Sequence, residues 1–550
     1  MQAFIGVDVG TASARAGLFD AAGTLLATAR RPIALWHEPG FVEQSSDDIW
    51  QACAGAVREV LTQSGVPPRS VGGIGFDATC SLVVLDTAGR PLSVSTSGDP
   101  QRNVIVWMDH RAIAEAERIT ATRHDVLRHV GGVISPEMET PKLLWLKHHL
   151  PATWRDAGHF FDLADYLSWR ASASLARSTC TLTCKWTYLA HEKRWSRSYF
   201  ETIGLAELLD DDAAKIGKVI VDPGTALGGG LTQAAAADFG LVPGTPVGAS
   251  LIDAHAGGLA TIGGQSANQG ADDGPASLLD RLAYIMGTSA CIMATSVQPR
   301  FVPGVWGPYF SAMVPGLWLN EGGQSASGAA IDQLLQSHPA HAEAVEAARM
   351  AGLAPIDFLE RRIAQRVERA GDAARLAQGL HVLPDFLGNR SPHADPQARA
   401  VIAGLDLEGG LESLERVFVA GVCGLAYGLA DVIDALRPHD IPSRMIVISG
   451  GASHSALVRQ IIADTTGVPV ALPTTAEPVL LGAAMLGAVA GRAFPTLHAA
   501  IQSMSRLGAV TRPSMAMADF HAAKRKVHGL LRQVDRDSRL VMAAAAQQTG

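Results

Sequence analysis

Disulfide-forming capacity is scarce: six cysteines (Cys53, Cys80, Cys180, Cys184, Cys291 and Cys423) are spread over 550 residues. That excludes a disulfide framework and suits a reducing compartment. Long apolar runs are missing as well. No uninterrupted apolar stretch approaches the roughly 18 residues of a spanning helix, and the first strand follows Met1 too closely for a charged segment and an apolar leader to precede it. The expected setting is the cytoplasm, with no membrane partner. Excess positive charge is lacking too. With a net charge of -8 and no long basic stripe, nucleic acid and anionic membrane surfaces are poor candidates for the main partner.

Two nucleotide-handling signatures are also absent. No Gly-x-x-x-x-Gly-Lys-Ser/Thr loop occurs, which excludes a P-loop enzyme. Asp238-Phe-Gly240 spells a metal-binding triplet of protein kinases, but no His-Arg-Asp loop or glycine-rich nucleotide loop supports it, so it reads as coincidence. A chain of this length exceeds what one core normally supports, and two lobes are expected.

What the chain does contain begins at Phe4 to Asp20, where an acid and a glycine turn separate two apolar runs. Ile5 and Val7 alternate with small or polar positions as a strand requires, Gly10 lets the backbone reverse, and Leu18 and Phe19 belong to the returning strand. Gly10, Thr11 and Ala12 leave N–H groups and a hydroxyl free to face an anion, and Asp8 at the strand end can hold a hydrated cation. One such hairpin can be an ordinary tight turn. A second copy, with Gly287 and Thr288 between apolar runs at 284–296, suggests that two hairpins clasp one polyphosphate. Third comes Ile446 to Ala452, a strand running into Gly450-Gly451, followed by the amphipathic run Ala456 to Thr466. Paired glycines there let a flat base approach the backbone.

This ordered trio resembles the FGGY family of sugar kinases within the actin-like ATPase fold, and the resemblance covers nearly the whole chain. Six further segments narrow it: Gly75 to Leu85, Trp107 to Arg111, Cys184 to Tyr188, Ser250 to Gly257, Trp318 to Ser325 and Pro384 to Pro392. Together they look like the ribulokinase branch, most like D-ribulose kinases. The resemblance implies an α/β, two-lobed fold of duplicated ribonuclease-H-like type with a central cleft. It divides the chain into a first lobe at 1–252, a second at 253–505 and a helical extension at 506–550. It also implies ATP as co-substrate, Mg2+ as the ion, a pentulose as acceptor and, by weaker analogy, a homodimer. Kinases for ribitol, L-ribulose or xylulose remain open, and so does a non-enzymatic actin-like ATPase.

Within this resemblance Asp253 is the catalytic base. An acid after an apolar strand and before Ala-His-Ala-Gly sits where its carboxylate can face a cleft, although helix N-capping is the ordinary use of such a position. Lys185, amid Cys184, Trp186 and Tyr188, is placed on substrate hydroxyls; its plain alternative is a snorkelling surface lysine. Glu321, beside Gly322 and Gly323, could accept sugar hydroxyls while Gly323 admits a phosphate; the alternative is a solvated turn acid. Ala78, Thr79, Glu137 and Asp109 come from segments that line the sugar pocket in this resemblance. Gly10, Thr11, Gly287 and Thr288 would hold phosphates, Gly450, Gly451 and Ala452 would flank adenine, and Asp8 would hold the metal. L-ribulose kinases tend to put an aromatic residue after the glutamate at 137, where this chain has Met138, so the resemblance implies a differently shaped pocket and a different favoured pentulose. Cys180 and Cys184 share a helix face, but no second Cys or His pair at metal spacing accompanies them, and they read as buried thiols rather than zinc ligands. His255 reads as a hydrogen-bonded residue orienting its loop.

Secondary structure is patterned clearly in places. A helix is expected from Asp47 to Gln63, capped by Ser46 and ended by Gly65, with strands around 71–76 and 82–85. Helical patterns fill 111–150, 166–170, 329–335, 414–436 and 521–533. Val242 to Val247 approaches a hinge at Asp253. The run 479–489 is short and rich in Ala and Gly, which marks a helix packed on a sheet rather than a membrane segment. Residues 263–280 are poor in apolar side chains and read as a mobile surface insertion.

Overall fold

The computed structural model describes residues 2–266 and 278–547. Its first sheet has five strands in the order Val247–Ile252, Val71–Ala78, Ala3–Val9, Ser13–Asp20 and Leu25–Pro32. The first three run parallel and the last two return antiparallel. Inside the larger second sheet the same pattern recurs: Val470–Pro473, Met445–Ser449 and Arg281–Met286 are parallel, and Ala290–Ser296 and Trp318–Gln324 are antiparallel. This repeat is the duplicated, two-lobed α/β architecture expected from the sequence. Both glycine hairpins form as expected, Ala3–Val9 with Ser13–Asp20 and Arg281–Met286 with Ala290–Ser296.

Every residue of Ala3–Val9 is buried, because helices cover both faces of its sheet. Helix Ser46–Ser64 packs on the Ser13–Asp20 and Leu25–Pro32 strands, and helix Pro478–Ala490, from late in the chain, packs on Ala3–Val9, Val71–Ala78 and Val247–Ile252. Close approach explains the glycines in these strands. A Cβ at Gly6 would lie 1.9 Å from the carbonyl oxygen of Leu480, and one at Gly73 would lie 2.0 Å from that of Gly487. The short Ala- and Gly-rich helix is thus core, as its composition indicated. Helix Asp253–Ile262 leaves the first sheet, packs against Arg281–Met286 and Met445–Ser449 of the second, and crosses Pro478–Ala490. These two helices form the joint between the lobes.

Several boundaries differ from expectation. The helix expected from Asp47 starts at Ser46, and Ser45 caps it by accepting the Asp48 N–H. The Ser46 N–H is taken instead by Asn103 Oδ1 at 3.0 Å. Gly65 ends the helix in the left-handed region, as expected. The 111–150 stretch is broken into Ile113–Ala121 and Glu139–His149. Between them Gly131 and Gly132 adopt φ of 74° and 87°, which no helix accommodates.

Beyond Arg506 the chain first adds an unexpected strand, Arg506–Thr511, to the second sheet, and then forms the helix Ala518–Gln547. That helix is tied down by Lys524 Nζ, which donates to the carbonyls of Ala377 and Leu380 at 2.6 and 2.7 Å. Helix Leu411–Leu436 lies in a segment long and apolar enough to cross a membrane, but 83% of its most apolar window is buried inside the protein. Most of the polar insertion expected at 263–280 lies outside the described residues.

Candidate active site

The two hairpin tips and the start of the Asp253–Ile262 helix face a cavity of about 490 Å³. Asp8, Gly10, Thr11, Thr79, Glu137, Lys185, Asp253, Gly287, Thr288 and Glu321 all line it. The topology brings them together: parallel strands deliver their C-terminal ends, and the residues that follow, to one edge of each sheet.

Both tips are closed by backbone hydrogen bonds and bare. The Gly10 N–H donates to the Ser13 carbonyl at 3.1 Å, and the Gly287 N–H to that of Ser289 at 2.9 Å. A Cβ would meet nothing nearer than 3.9 Å at Gly10 or 3.5 Å at Gly287, so these glycines open onto space rather than packing. Trp107 Nε1 donates to Thr11 Oγ1 at 3.0 Å and Gln44 Nε2 to the Thr11 carbonyl at 2.8 Å, fixing the first tip. The Thr288 carbonyl accepts the N–H groups of Ser327 and Ala329, which pins the second tip to helix Gly328–Gln336.

Carboxylates cluster at the ends of the first sheet's strands. Asp8, only 3% exposed, accepts from Arg15 Nε at 2.7 Å, and Arg15 reaches Glu477 at 2.8 Å. Asp77 stands opposite Asp8 on the neighbouring strand and is fully buried. Burial, and then the charge of Asp8, hold the Asp77 carboxyl well above the usual range, which favours the neutral acid. Asp253 is the first residue of its helix and accepts the Ala254 N–H at 2.7 Å. Burial, followed by the charge of Asp8, raises it to about 6.

Opposite them lies a mixed group of cations, acids and one indole. Lys185 ends the helix Thr179–Lys185 and is buried, with Nζ 4.9 Å from the Trp306 ring. Burial opposes its charge, yet the acidic groups around it, Cys80 and Glu321 foremost, hold the ammonium well above its ordinary value. Arg390 lies 5.3 Å from the same ring and 3.5 Å from Glu137, an ion pair that crosses the cleft. Glu321 Oε2 meets His255 Nε2 at 3.2 Å. Burial would raise that carboxylate, but His255, Lys185 and Arg390 outweigh it and hold Glu321 at about 2. The Thr79 hydroxyl pairs with Ser81 at 3.1 Å.

Other sequence candidates lie elsewhere. The Ala78 side chain is fully buried in the core of the sheet and does not reach the cavity. Asp109 is spent on structure: its carboxylate holds Arg111 at 2.7 and 2.8 Å and the Val42 N–H at 2.6 Å. Gly323 does not line the cavity either. Its bare Cα accommodates the Ala290 carbonyl and the Arg390 side chain, 2.8 and 3.0 Å from where a Cβ would stand. Gly450, Gly451 and Ala452 lie outside the lining. Gly450 has φ 93° and abuts Met286, next to the second tip, and nothing stands within 4 Å of a Cβ at Gly451.

Lining residues to which the sequence reading gave no role include Arg15, Arg30, Trp107, Trp306 and Arg390. Arg15, Trp107 and Arg390 sit in segments already singled out; nothing marked Arg30 or Trp306. His255 joins Cys180 and Cys184, with donor atoms all within 4.8 Å of one another. Its Nδ1 lies 3.1 Å from Cys180 Sγ, a direct hydrogen bond. Chemically, the cavity sets anion-binding backbone beside acceptors and donors suited to a polyhydroxylated molecule, with one carboxylate between them.

Residues 3–260 match the N-terminal domain of the FGGY family of carbohydrate kinases, and residues 282–491 match its C-terminal domain. An FGGY carbohydrate kinase domain-containing protein of Danio rerio is 48% identical over 95% of this chain and 96% of that relative. A D-ribulokinase of Saccharomyces cerevisiae is 36% identical over 89% of this chain and 72% of its own length. A xylulose kinase structure from Rhodospirillum rubrum shares the fold with a TM-score of 0.77 at 23% identity, covering 97% of this chain and 99% of that one.

Proposed function

The chain belongs to the FGGY family of carbohydrate kinases, and from that premise we propose that it moves the γ-phosphoryl group of ATP to the terminal hydroxyl of a ketopentose, D-ribulose first, giving D-ribulose 5-phosphate. Membership in a family of sugar-phosphorylating enzymes replaces the alternative of a non-enzymatic actin-like ATPase. The observation that carries the reading is Asp253, which opens its helix into the cavity that both glycine tips share with Lys185 and Glu321. The yeast D-ribulokinase supports the choice of sugar.

In this mechanism Lys185 donates to sugar hydroxyls, and Glu321, Glu137 and Thr79 accept from or donate to others. Backbone N–H groups and hydroxyls at Gly10, Thr11, Gly287 and Thr288 cradle the phosphates, and adenine lies over Gly450, Gly451 and Ala452, where Gly451 faces open space. As the sugar oxygen attacks the γ-phosphorus, its proton passes to the Asp253 carboxylate, the bond to the bridging oxygen breaks and ADP leaves. Phosphoryl transfer needs little covalent help, so positioning supplies most of the rate.

The residues present fit a divalent cation. Asp8 and Asp253 face one cavity closely enough for the charge of Asp8 to raise Asp253, and Arg15 pairs only with Asp8 of the two. Asp8 would hold Mg2+ through water, and the ion would supply positive charge against the phosphate oxygens. In the same reading the chain divides into lobes at 1–252 and 253–505 with an extension at 506–550, and works in the cytoplasm, where its six free thiols are at home. A homodimer is part of this proposal.

Steady-state rates with D-ribulose, D-xylulose, L-ribulose and ribitol at saturating ATP test the acceptor. The highest kcat/KM is expected on D-ribulose. A higher value on any of the others overturns that choice.

A further inference from the structure

Behind the cavity, three buried side chains form a hydrogen-bonded chain from one lobe to the other. Cys180 Sγ lies 3.1 Å from His255 Nδ1, and His255 Nε2 lies 3.2 Å from Glu321 Oε2. Cys180 also accepts the Ile252 N–H at 3.5 Å, just before Asp253. Each member belongs to a different element: Cys180 to the helix that ends in Lys185, His255 to the helix that opens with Asp253, and Glu321 to its own strand. One imidazole therefore ties together the elements that carry three residues facing the cavity.

We propose that His255 is a positioning residue for sugar recognition: held by Cys180, it fixes the Glu321 carboxylate, ionised and oriented, against the hydroxyls of the bound sugar. This rests on the reading of Glu321 as a sugar acceptor. His255 occupies Oε2 and leaves Oε1 without a protein partner among the described residues. An ionised carboxylate is acceptor-only on both oxygens, whereas protonation turns one oxygen into a donor, and burial favours the protonated form unless cations or hydrogen bonds to the charged form oppose it. The groups around Glu321 are Lys185, Arg390 and His255 on the cationic side, with Cys184, Cys291 and Tyr309 as weak acids. Of the three cations only His255 touches the carboxylate. Burial pulls the imidazole down, but Cys180 and Glu321 raise it to about 10, so it stays protonated at working pH. The Cys180 thiol is lowered in spite of its burial, through Cys184 and His255, which makes it a better acceptor for Nδ1–H.

The test is His255→Gln, which keeps a donor but removes the charge, assayed beside Glu321→Gln with whichever sugar the acceptor screen identifies. We expect sugar KM to rise about tenfold, as for a lost charged hydrogen bond, with ATP KM changed less than about twofold. The rise should steepen as pH falls from 8 towards 5.5, because Glu321 deprived of its imidazolium takes up a proton. A merely structural role would give no such slope. Cys180→Ser keeps a polar partner for Nδ1 and should leave sugar KM near its original value, whereas Cys180→Ala should raise it about threefold. Should His255→Gln fail to fold, the contrast between these two cysteine variants decides. If Glu321→Gln raises sugar KM while folded His255→Gln leaves both the constant and its pH slope unchanged, the inference falls and the reading of Glu321 stands. If Glu321→Gln itself leaves sugar KM unchanged, the reading falls and the inference with it.

Discussion

The two halves of the molecule present the same backbone to the cleft and different charges. Matching the strand orders sets Ala3–Val9 against Arg281–Met286 and Val71–Ala78 against Met445–Ser449, and within each half the two strands pair parallel. Gly10 then corresponds to Gly287. Two residues before each glycine, the first half has Asp8 facing Asp77 and the second has Ile285 facing Ser449. The third strand ends in Ile252 before Asp253 in one half and in Pro473 before Thr474 in the other. A turn that presents N–H groups to an anion is thus duplicated, while carboxylates survive in only one copy. Backbone geometry alone suffices to hold phosphate. Acid–base work and cation binding need side chains, and one set serves the single cleft between the halves.

The largest expected effect comes from removing the carboxylate that follows the third strand of the first sheet and has Thr474 at the matching place in the second. Asp253→Asn should lower kcat by at least roughly 100-fold while ATP still binds, as for loss of a general base. Isothermal titration with ATP beside a steady-state assay separates the two. Near-normal turnover in the folded variant would show that the acid asymmetry has nothing to do with proton transfer. The pH dependence follows from the same group. Burial raises Asp253 to about 6, so the carboxylate is the majority form above that pH, and kcat/KM should decline as pH falls through it.

A smaller effect is expected at Asp8. Asp8→Asn should raise the Mg2+ concentration needed for half-maximal activity by roughly 10- to 100-fold, the range for groups that act on a metal through its outer shell. Direct Mn2+ binding, followed by its electron paramagnetic resonance signal with ATP present, gives a readout apart from turnover. Ile285→Asn, at the matching place in the second half, should leave metal binding unchanged. Equal losses from both substitutions would erase the distinction between the halves.

Local pattern made the duplicated part readable. Both hairpins, the strand before Gly450 and the buried helix at 478–490 announce themselves through alternation, turn residues and composition within about 20 residues. Candidates such as Thr79, Lys185, Asp253 and Glu321 stood out because the motifs around them resemble a family, and they do surround one cavity. Pairings across long separations were not readable. Arg15 meets Glu477, Arg390 meets Glu137, and His255 links Cys180 to Glu321, yet no spacing in the chain encodes such contacts. Asp109 shows the converse: it belongs to a suggestive motif, but its carboxylate is consumed by Arg111 two residues later and by the Val42 N–H.

The smallest expected effect concerns Lys185, which sharpens the comparison by separating sugar reading from phosphate holding. Its ammonium is fixed by burial at a helix end and by the Trp306 face, and the second-half tip at Thr288 contains no side-chain cation. Lys185→Met keeps most of the stem's bulk and removes the charge and the donors. Sugar KM should then rise about tenfold, as expected from losing one charged hydrogen bond of ~1.5–3 kcal/mol, with little change in ATP KM. Thr288→Val, which removes a hydroxyl from the second tip, should do the reverse and weaken ATP by a few-fold, in line with a neutral hydrogen bond of about 1 kcal/mol. Paired saturation series in sugar and in ATP on both folded variants make the measurement. Crossed effects would assign the first half to the sugar and the duplicated tips to the nucleotide, and parallel weakening of both substrates by either variant would reject that division of labour.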